Sequence, residues 1–331
     1  MNRPVNNLDA FVDCFDGLTP YSGVSDPDFL VDFLGVKTAA SFREMWGERP
    51  QPVGTEVRTS LPRMASGEGW FEAVNWVEAA REARGRYVML SLGACYGNQA
   101  VGAYKALQKL NPMPAKLVCV EGDPENVAWI HQHFRDNAID PGDHWILEAA
   151  LGADNKPILF PVGSPGSGAQ NCFSTNSQEG RMSVAEVVAQ DGRFDAMLYN
   201  LLLNNSTGMQ IKLAHGTDYD FPAELKFVSA ITLADVLGAF DRVDYVESDI
   251  QQSETIVFPP AIGALTRKVR RVHLGTHGVD VHYQMRDLFA DKGWEIVFSY
   301  PPNDEFETPW GSFKTNDGVL TVLNPRLAPA D

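Results

Sequence analysis

Residues 88–97, VMLSLGACYG, decide the fold of this chain. The apolar run Tyr87 to Leu92 reads as a buried parallel strand. It breaks into a turn of small residues, Gly93-Ala94-Cys95-Tyr96-Gly97, and then into a helix over 99–110. A second apolar run, Lys116 to Val120, ends on Glu121. Strand, glycine turn, helix and a strand closing on a carboxylate form the first half of a nucleotide-type site. The glycines let the backbone approach a ligand closely, and the carboxylate can accept two hydrogen bonds from a ribose diol.

The spacing narrows the ligand. A dinucleotide fingerprint is G-x-G-x-x-G, with a helix N-terminus placed for a pyrophosphate. Here the spacing is Gly93-x-x-x-Gly97, with no glycine at Cys95 and no Walker lysine afterwards. That turn fits a ligand with a ribose and an adenine but no phosphates, namely S-adenosyl-L-methionine. Alone, such spacing also describes a plain strand–helix turn. Glu121 at the end of the next strand tips the reading toward a cofactor site.

With 331 residues, the chain has room for one large core plus an extra module, or for two small domains. Charged residues interrupt every apolar stretch before it could span a bilayer, and MNRPVNNLDAF lacks the apolar run of a secretory signal. A cytoplasmic protein without membrane contact is expected. The net charge of −16, from 43 acidic and 27 basic side chains, disfavours nucleic acid. The one basic cluster, Arg267-Lys268-Val269-Arg270-Arg271, reads as the solvated end of a helix. A neutral or cationic small molecule, a sugar or a carrier-linked intermediate suits this charge better. Cys14, Cys95, Cys119 and Cys172 show no C-x-x-C spacing, so neither a zinc site nor a disulfide framework is indicated. Cys119 reads as a small core residue.

From Arg86 onward strands and helices alternate, which predicts an α/β fold with a parallel sheet covered on both faces. The series continues with a helix over 124–137, opened by Pro124, a strand His144–Ala149 and a hairpin strand at Ile158–Pro161. Residues 161–180, rich in Gly, Ser and Asn, read as a mobile cover. Phe194 to Leu203 fits strand or helix. A short helix capped by Thr232, the strand Val243–Asp249 and a helix from Glu254 to Lys268 come next. The strand Arg271–Gly275 leads to His277, and a helix Val281–Asp291 stops at Gly293. Trp294–Tyr300 and Val319–Leu323 read as an antiparallel pair at the sheet edge. The aromatic-rich residues 1–85 read as a cap or a homo-oligomerisation extension, with a strand at Phe29–Leu34, a short helix at Ala39–Trp46 and a longer one at Trp70–Arg84.

From about Tyr87 to Tyr300 the chain resembles the FkbM-type S-adenosylmethionine-dependent methyltransferases. The likeness is carried by LSLGACYGNQA at 90–100, VCVEGDPENVAWIHQHFRDN at 118–137 and ILEAALGADN at 146–155. ITLADVL at 231–237 then leads into YVESDIQQSE at 245–254, similar to the family's T-L-D-x-L and K-I-D-V-E-G-x-E, and HLGTHG stands at 273–278. The resemblance implies a doubly wound, mostly parallel Rossmann-like methyltransferase sheet over residues 86–331. It also implies a cofactor site around Ser91, Gly93, Ala94, Gly97, Glu121, Gly122, Asp123, Glu148 and Ala149. Departures from the pattern are Ser91 in the place of an acid near the methionine amino group, Glu247 for a lysine, Gln251 and Gln252 for Glu-Gly, and Gly275 for an acid.

Methyl transfer needs the acceptor held in line and water excluded, and an oxygen acceptor also needs a base. Asp249 and His277 each end a central strand, so neighbouring strands would aim both at one cleft. His277 is the expected general base, with Asp249 orienting the acceptor or the imidazole. A cap on the helix that follows, for Asp249, and a satisfied polar residue at a strand end, for His277, are the competing readings. His273 reads as structural, and His282 as lying on a helix surface or rim. No ligand spacing demands a metal at His277, Asp249 and Glu254, so none is expected. O-methylation of a sugar or other small natural-product intermediate is the expected activity. A cofactor-binding module without transfer activity, partnering a biosynthetic complex, is the alternative. A nicotinamide-dependent dehydrogenase fits the fold but not the glycine spacing.

Overall fold

The computed structural model describes residues 8–44, 47–162, 209–212, 218–221, 224–251 and 253–327. Residues 163–180 of the expected cover, the stretch Phe194 to Leu203, and Gln252 lie outside the described residues.

Seven strands form the central sheet: β1 (Tyr87–Leu92), β2 (Ala115–Glu121), β3 (Trp145–Glu148), β4 (Val243–Ser248), β5 (Val269–Thr276), β6 (Glu295–Tyr300) and β7 (Gly318–Leu323). Their spatial order is β6–β7–β5–β4–β1–β2–β3. The five strands from β5 to β3 are parallel. β7 runs antiparallel to both β5 and β6, as expected for the final pair. This is a Rossmann-like α/β sheet. The chain winds outward from β1 through β3, then returns to the other side of β1 with β4. The reversal between β1 and β4 is the topological switch point, where ligands bind beyond the carboxyl ends of the strands.

All six residues of β1 are buried, as its unbroken apolar run requires of a strand covered on both faces. Side chains alternate across it. Tyr87 and Met89 enter one core with helices α1 (Glu68–Glu82), α2 (Asn98–Leu110) and α3 (Pro124–Asp136). Val88, Leu90 and Leu92 enter the other with α4 (Leu233–Gly238), α5 (Glu254–Lys268) and α6 (Val279–Ala290). Burying each such large apolar side chain contributes about 1.5–3 kcal/mol. The N-terminal residues share the first core: Phe15, Phe33, Trp70 and Phe71 join Phe298 and Tyr300 of β6. Helix α1 is thus one of the sheet's covering helices.

Two helix starts follow from local chemistry. The Asp123 side chain accepts from Glu125 N at 2.8 Å, with Pro124 in the first turn. The Thr232 hydroxyl accepts from Asp235 N at 3.1 Å, capping α4 as expected.

Several expectations are corrected. The expected strand Phe29–Leu34 ends at Val31 because Asp32 Oδ1 accepts from Leu34 N and Val36 N, each at 2.8 Å. That turn folds the chain back so that Phe29–Val31 pairs with Lys37–Ala39. The helix that follows is a single turn, Ala40–Arg43. The expected strand His144–Ala149 narrows to β3, and a separate strand, Ala150–Gly152, follows it and pairs in parallel with Ala230–Thr232. A hairpin, Asp304–Thr308 with Gly311–Thr315, was not expected. Arg270 and Arg271 are not solvated: they are 7% and 1% exposed and share Glu82 of α1, at 2.9 Å and 3.2 Å. His282 is fully buried rather than at a rim, with Nδ1 2.9 Å from Thr276 Oγ1 and Nε2 3.0 Å from Ser299 Oγ.

Candidate functional site

At the switch point the turn after β1 is pressed against the end of β4. Gly93 has φ +74°, and a Cβ built on it would lie 1.9 Å from the Asp249 carbonyl oxygen. Only glycine fits there. Asp249 N donates to Leu92 O at 2.9 Å, while Gly93 N and Ala94 N donate to Val120 O at 3.0 Å and 3.1 Å. The turn is therefore tied to both neighbouring strands. Glu121, closing β2, clamps it further: Oε2 accepts from Cys95 N at 2.7 Å and Oε1 from Asp123 N at 2.8 Å. Burial pushes the Glu121 carboxyl up to about 7, against the lowering effect of those two backbone bonds.

A cleft of about 300 Å³ opens at this point, within the size range of small-molecule sites. Of the expected cofactor residues, Gly93, Ala94, Glu121, Gly122 and Ala149 line it. Gly97, with φ +85°, is the residue from which α2 starts. Ser91 is buried below the cleft, and its hydroxyl donates to Glu247 Oε2 at 2.9 Å. Asp123 is buried as the cap of α3. Glu148 is exposed and outside the lining.

The departures from the family pattern are coupled. Glu247 faces Ser91 directly in the β4–β1 register and lines the cleft. Burial, the neighbouring Asp249 and Glu72 hold its carboxyl well above the usual range, with the Ser91 bond opposing them. The acid absent from β1 is thus present on β4, across the same strand pair.

Sequence reasoning did not single out Glu72, Arg43 or Phe160, which also line the cleft. Glu72 comes from α1, and enclosure by protein pushes its carboxyl up to about 7, with Glu68 adding to the rise. Among the described residues, four carboxyls (Glu72, Glu121, Glu247, Asp249) therefore face a single basic lining residue, Arg43. Arg43 is engaged by Glu48 and by the Tyr96 hydroxyl. Such a cleft favours a cationic ligand over a pyrophosphate. A second depression of about 580 Å³ shares Arg43, Glu72, Tyr96 and Asn98 with the first. Its walls come largely from the N-terminal residues, among them Asp32, Thr38, Ser60, Arg63 and Ser66.

The structure brings Asp249 and His277 together, as expected. His277 Nε2 lies 3.2 Å from Asp249 Oδ1 and 3.3 Å from Asp317 Oδ1, and Nδ1 lies 3.1 Å from Glu254 Oε1. Burial opposes charge on the imidazole, but Asp249, Asp317 and Glu254 outweigh it and hold the His277 pKa well above its ordinary value. The enclosing protein, with Asp317 and Glu254, pushes Asp249 up to about 6 against the pull of His277. Asp249 lines the cleft, and His277 stands behind it. Asp317 had no sequence signal: it sits in the bend between the strand Gly311–Thr315 and β7, where Glu68 Oε1 accepts from its backbone N at 2.9 Å. His273 is structural, as expected. It is buried between Asn75 and Thr321, and burial lowers its pKa to about 3. Cys119 is a buried core residue.

Among the described residues no helix is long and apolar enough to cross a membrane. No protein-family model matches the chain. A protein of Jannaschia sp. (strain CCS1), provisionally named a methyltransferase, is 22% identical over 296 residues, covering 85% of this chain and 87% of its own length. Solved structures that resemble it include methyltransferase FkbM from Methylobacillus flagellatus KT, with TM-score 0.39, 11% identity, and 72% of this chain and 44% of that chain covered. Aeropyrum pernix fibrillarin, with natively bound S-adenosyl-L-methionine, has TM-score 0.34 and 11% identity, covering 82% of this chain and 79% of its own. Precorrin-6y C5,15-methyltransferase from Geobacter metallireducens GS-15 has TM-score 0.35 and 12% identity, covering 80% and 92%.

Proposed function

We propose that this protein is an S-adenosylmethionine-dependent methyltransferase of the FkbM type, acting on a hydroxyl of a sugar or other small natural-product intermediate. The observation that carries the reading is Glu121. Its carboxyl closes the strand beside the glycine turn, at the switch point, in a cleft whose walls are acidic. The Jannaschia relative, similar over most of both chains and provisionally named a methyltransferase, supports the methyl-transfer part of this reading.

The cleft's chemistry fits the cofactor. S-adenosyl-L-methionine, when bound, supplies an electrophilic methyl group on a positively charged sulfonium. Glu121 would accept the ribose hydroxyls. Gly93 to Tyr96 would pack under the ribose and methionine, and Gly122 and Ala149 would flank the adenine. Glu247 replaces the missing acid at Ser91 as the partner for the methionine ammonium. Ser91 and Asp123 act from below, one holding Glu247 and the other fixing α3. Gly97 lets α2 begin where the turn ends.

On the acceptor side we assign Asp249 the place nearest the reacting hydroxyl. Its side chain is about half-exposed, 46%, and lines the cleft, so the carboxylate can receive a proton from a hydroxyl bound there. His277, kept charged by three carboxylates, steadies Asp249 from behind. The roles expected from sequence are thereby exchanged. The second depression, joined to the cleft through Glu72, Tyr96 and Asn98, is the entry we propose for the acceptor. Its walls set Leu30, Phe33 and Leu61 beside Asp32, Arg63 and Ser66, a mixture that suits the apolar ring faces and the hydroxyls of a sugar.

The test is incubation with methyl-labelled S-adenosylmethionine and a panel of glycans and hydroxylated small molecules. Label transfer that Asp249→Asn abolishes, with cofactor binding retained, is the expected result. Cofactor binding with no transfer to any hydroxylated acceptor would count against the O-methyl assignment.

A further inference from the structure

We infer that Asp249, His277 and Asp317 form a divalent-cation site of the Mn2+ type at the edge of the cleft, oriented by Glu254. The three side chains come from the end of β4, the residue after β5 and the bend before β7. One ligand atom from each lies within 4.8 Å of the others.

Two observations go beyond a mere gathering of acids. First, the His277 side chain is only 9% exposed. Its Nε2 is buried and makes no hydrogen bond, although Asp249 Oδ1 and Asp317 Oδ1 stand 3.2 Å and 3.3 Å away. Ligands about 2.1 Å from one ion and at right angles to each other are about 3 Å apart. His277 Nε2 therefore already stands at about that spacing from each of the two oxygens. Second, Nδ1 is engaged by Glu254 Oε1 at 3.1 Å, and Glu254 is fully buried. A carboxylate that accepts the Nδ1–H hydrogen bond fixes the ring as metal-bound imidazoles are fixed, and a cation binding at Nε2 would displace the proton that the surrounding carboxylates otherwise hold there.

The donor set selects the ion class. One imidazole and two carboxylates are borderline to hard donors, which suits Mn2+ and, more weakly, Mg2+. Three protein ligands on one face leave positions for water or an acceptor oxygen. Asp249 lines the cleft, so those positions lie beside the proposed acceptor. A cation there would polarise the acceptor hydroxyl, while Asp249 would ligate through one oxygen and keep the other for the acceptor. This last link rests on the methyl-transfer reading, whereas the cation site itself does not.

The experiment is titration of the full chain with Mn2+ alone, free ion being followed by electron paramagnetic resonance and Mg2+ added as competitor. One equivalent should bind saturably. Asp317→Asn, a half-exposed position whose loss leaves the core untouched, and Asp249→Asn should each weaken binding more than about tenfold. Glu254→Gln should weaken it by about ten- to a hundredfold as a positioning residue, with circular dichroism confirming the fold. Glu307→Gln, on the outer hairpin, should change nothing. Absence of saturable binding, or binding indifferent to Asp317→Asn and Asp249→Asn, would overturn the site and leave a plain ion-pair cluster. Binding of S-adenosylhomocysteine, measured on the same samples, separates the two readings. Cofactor without Mn2+ sinks only the cation site, and Mn2+ without cofactor sinks only the methyltransferase reading.

Discussion

Gly93 lies directly under the main-chain carbonyl of Asp249, so close that a methyl group on it would be 1.9 Å from that oxygen. This contact joins the glycine turn, which shapes the proposed cofactor site, to the strand end that carries the proposed acceptor-facing carboxylate. The two halves of the chemistry are held in register by backbone alone.

Gly93→Ala is therefore expected to force the two strand ends apart, with the added cost of a left-handed backbone for alanine. A loss of about 2–4 kcal/mol in urea unfolding is expected, together with weaker cofactor binding. An alanine variant as stable as the parent would contradict the packing described.

Glu82 is the shared counter-ion of Arg270 and Arg271, whose side chains are 8% and 2% exposed. Glu82→Ala strands two buried cations, and a cost of about 3–5 kcal/mol is expected. Chemical denaturation of the variant checks it, and a change under about 1 kcal/mol would mean that water reaches both guanidinium groups.

Glu72 has an ordinary pKa of 4.5 and is pushed up to about 7 in the folded protein. Its protonated form suits the fold, so that contribution is fully present at acidic pH and is lost as pH rises through about 7. Glu72→Gln, which mimics the protonated form, should match the parent near pH 4.5 and melt about 2–4 °C higher near pH 8. The difference between the two proteins cancels other titrating groups, including His133 and His282, whose pKa values burial lowers to about 4. Equal melting points at both pH values would refute the assignment.

Much of this was legible in the sequence. The strand Tyr87–Leu92 and the turn after it announce themselves because a strand covered on both faces must be apolar throughout, and Glu121 falls where its strand ends. What escaped notice depends on partners far along the chain. Arg270 and Arg271 look solvated until Glu82 of α1 is brought beside them. His282 sits among Val281, Met285 and Phe289 on a helix, and nothing local marks the two hydroxyls, Thr276 and Ser299, that bury it. Asp317 lies in a turn of ordinary composition, and only the pairing of β7 with β5 carries it to His277. Glu72 reads as one polar position of an amphipathic helix. The relation of Ser91 to Glu247 required the β4–β1 register, which neither strand encodes alone.

Glu121 must be ionised to accept two hydroxyl hydrogen bonds, and burial holds it at about 7 when the cleft is empty. Cofactor affinity should therefore rise with pH, by up to about tenfold per unit below 7, and level off above it. Glu121→Gln should flatten this profile and weaken binding by about ten- to a hundredfold. A profile unchanged by the substitution would place the ribose elsewhere.

The most direct test of the central claim is calorimetric titration of the full chain with S-adenosylhomocysteine near pH 8, alongside Glu121→Gln and with NADH as comparison. One saturable site per chain, lost or strongly weakened in the variant and not shared by NADH, is the result this account predicts. No binding by the parent chain, or equal binding by parent and variant, would contradict it.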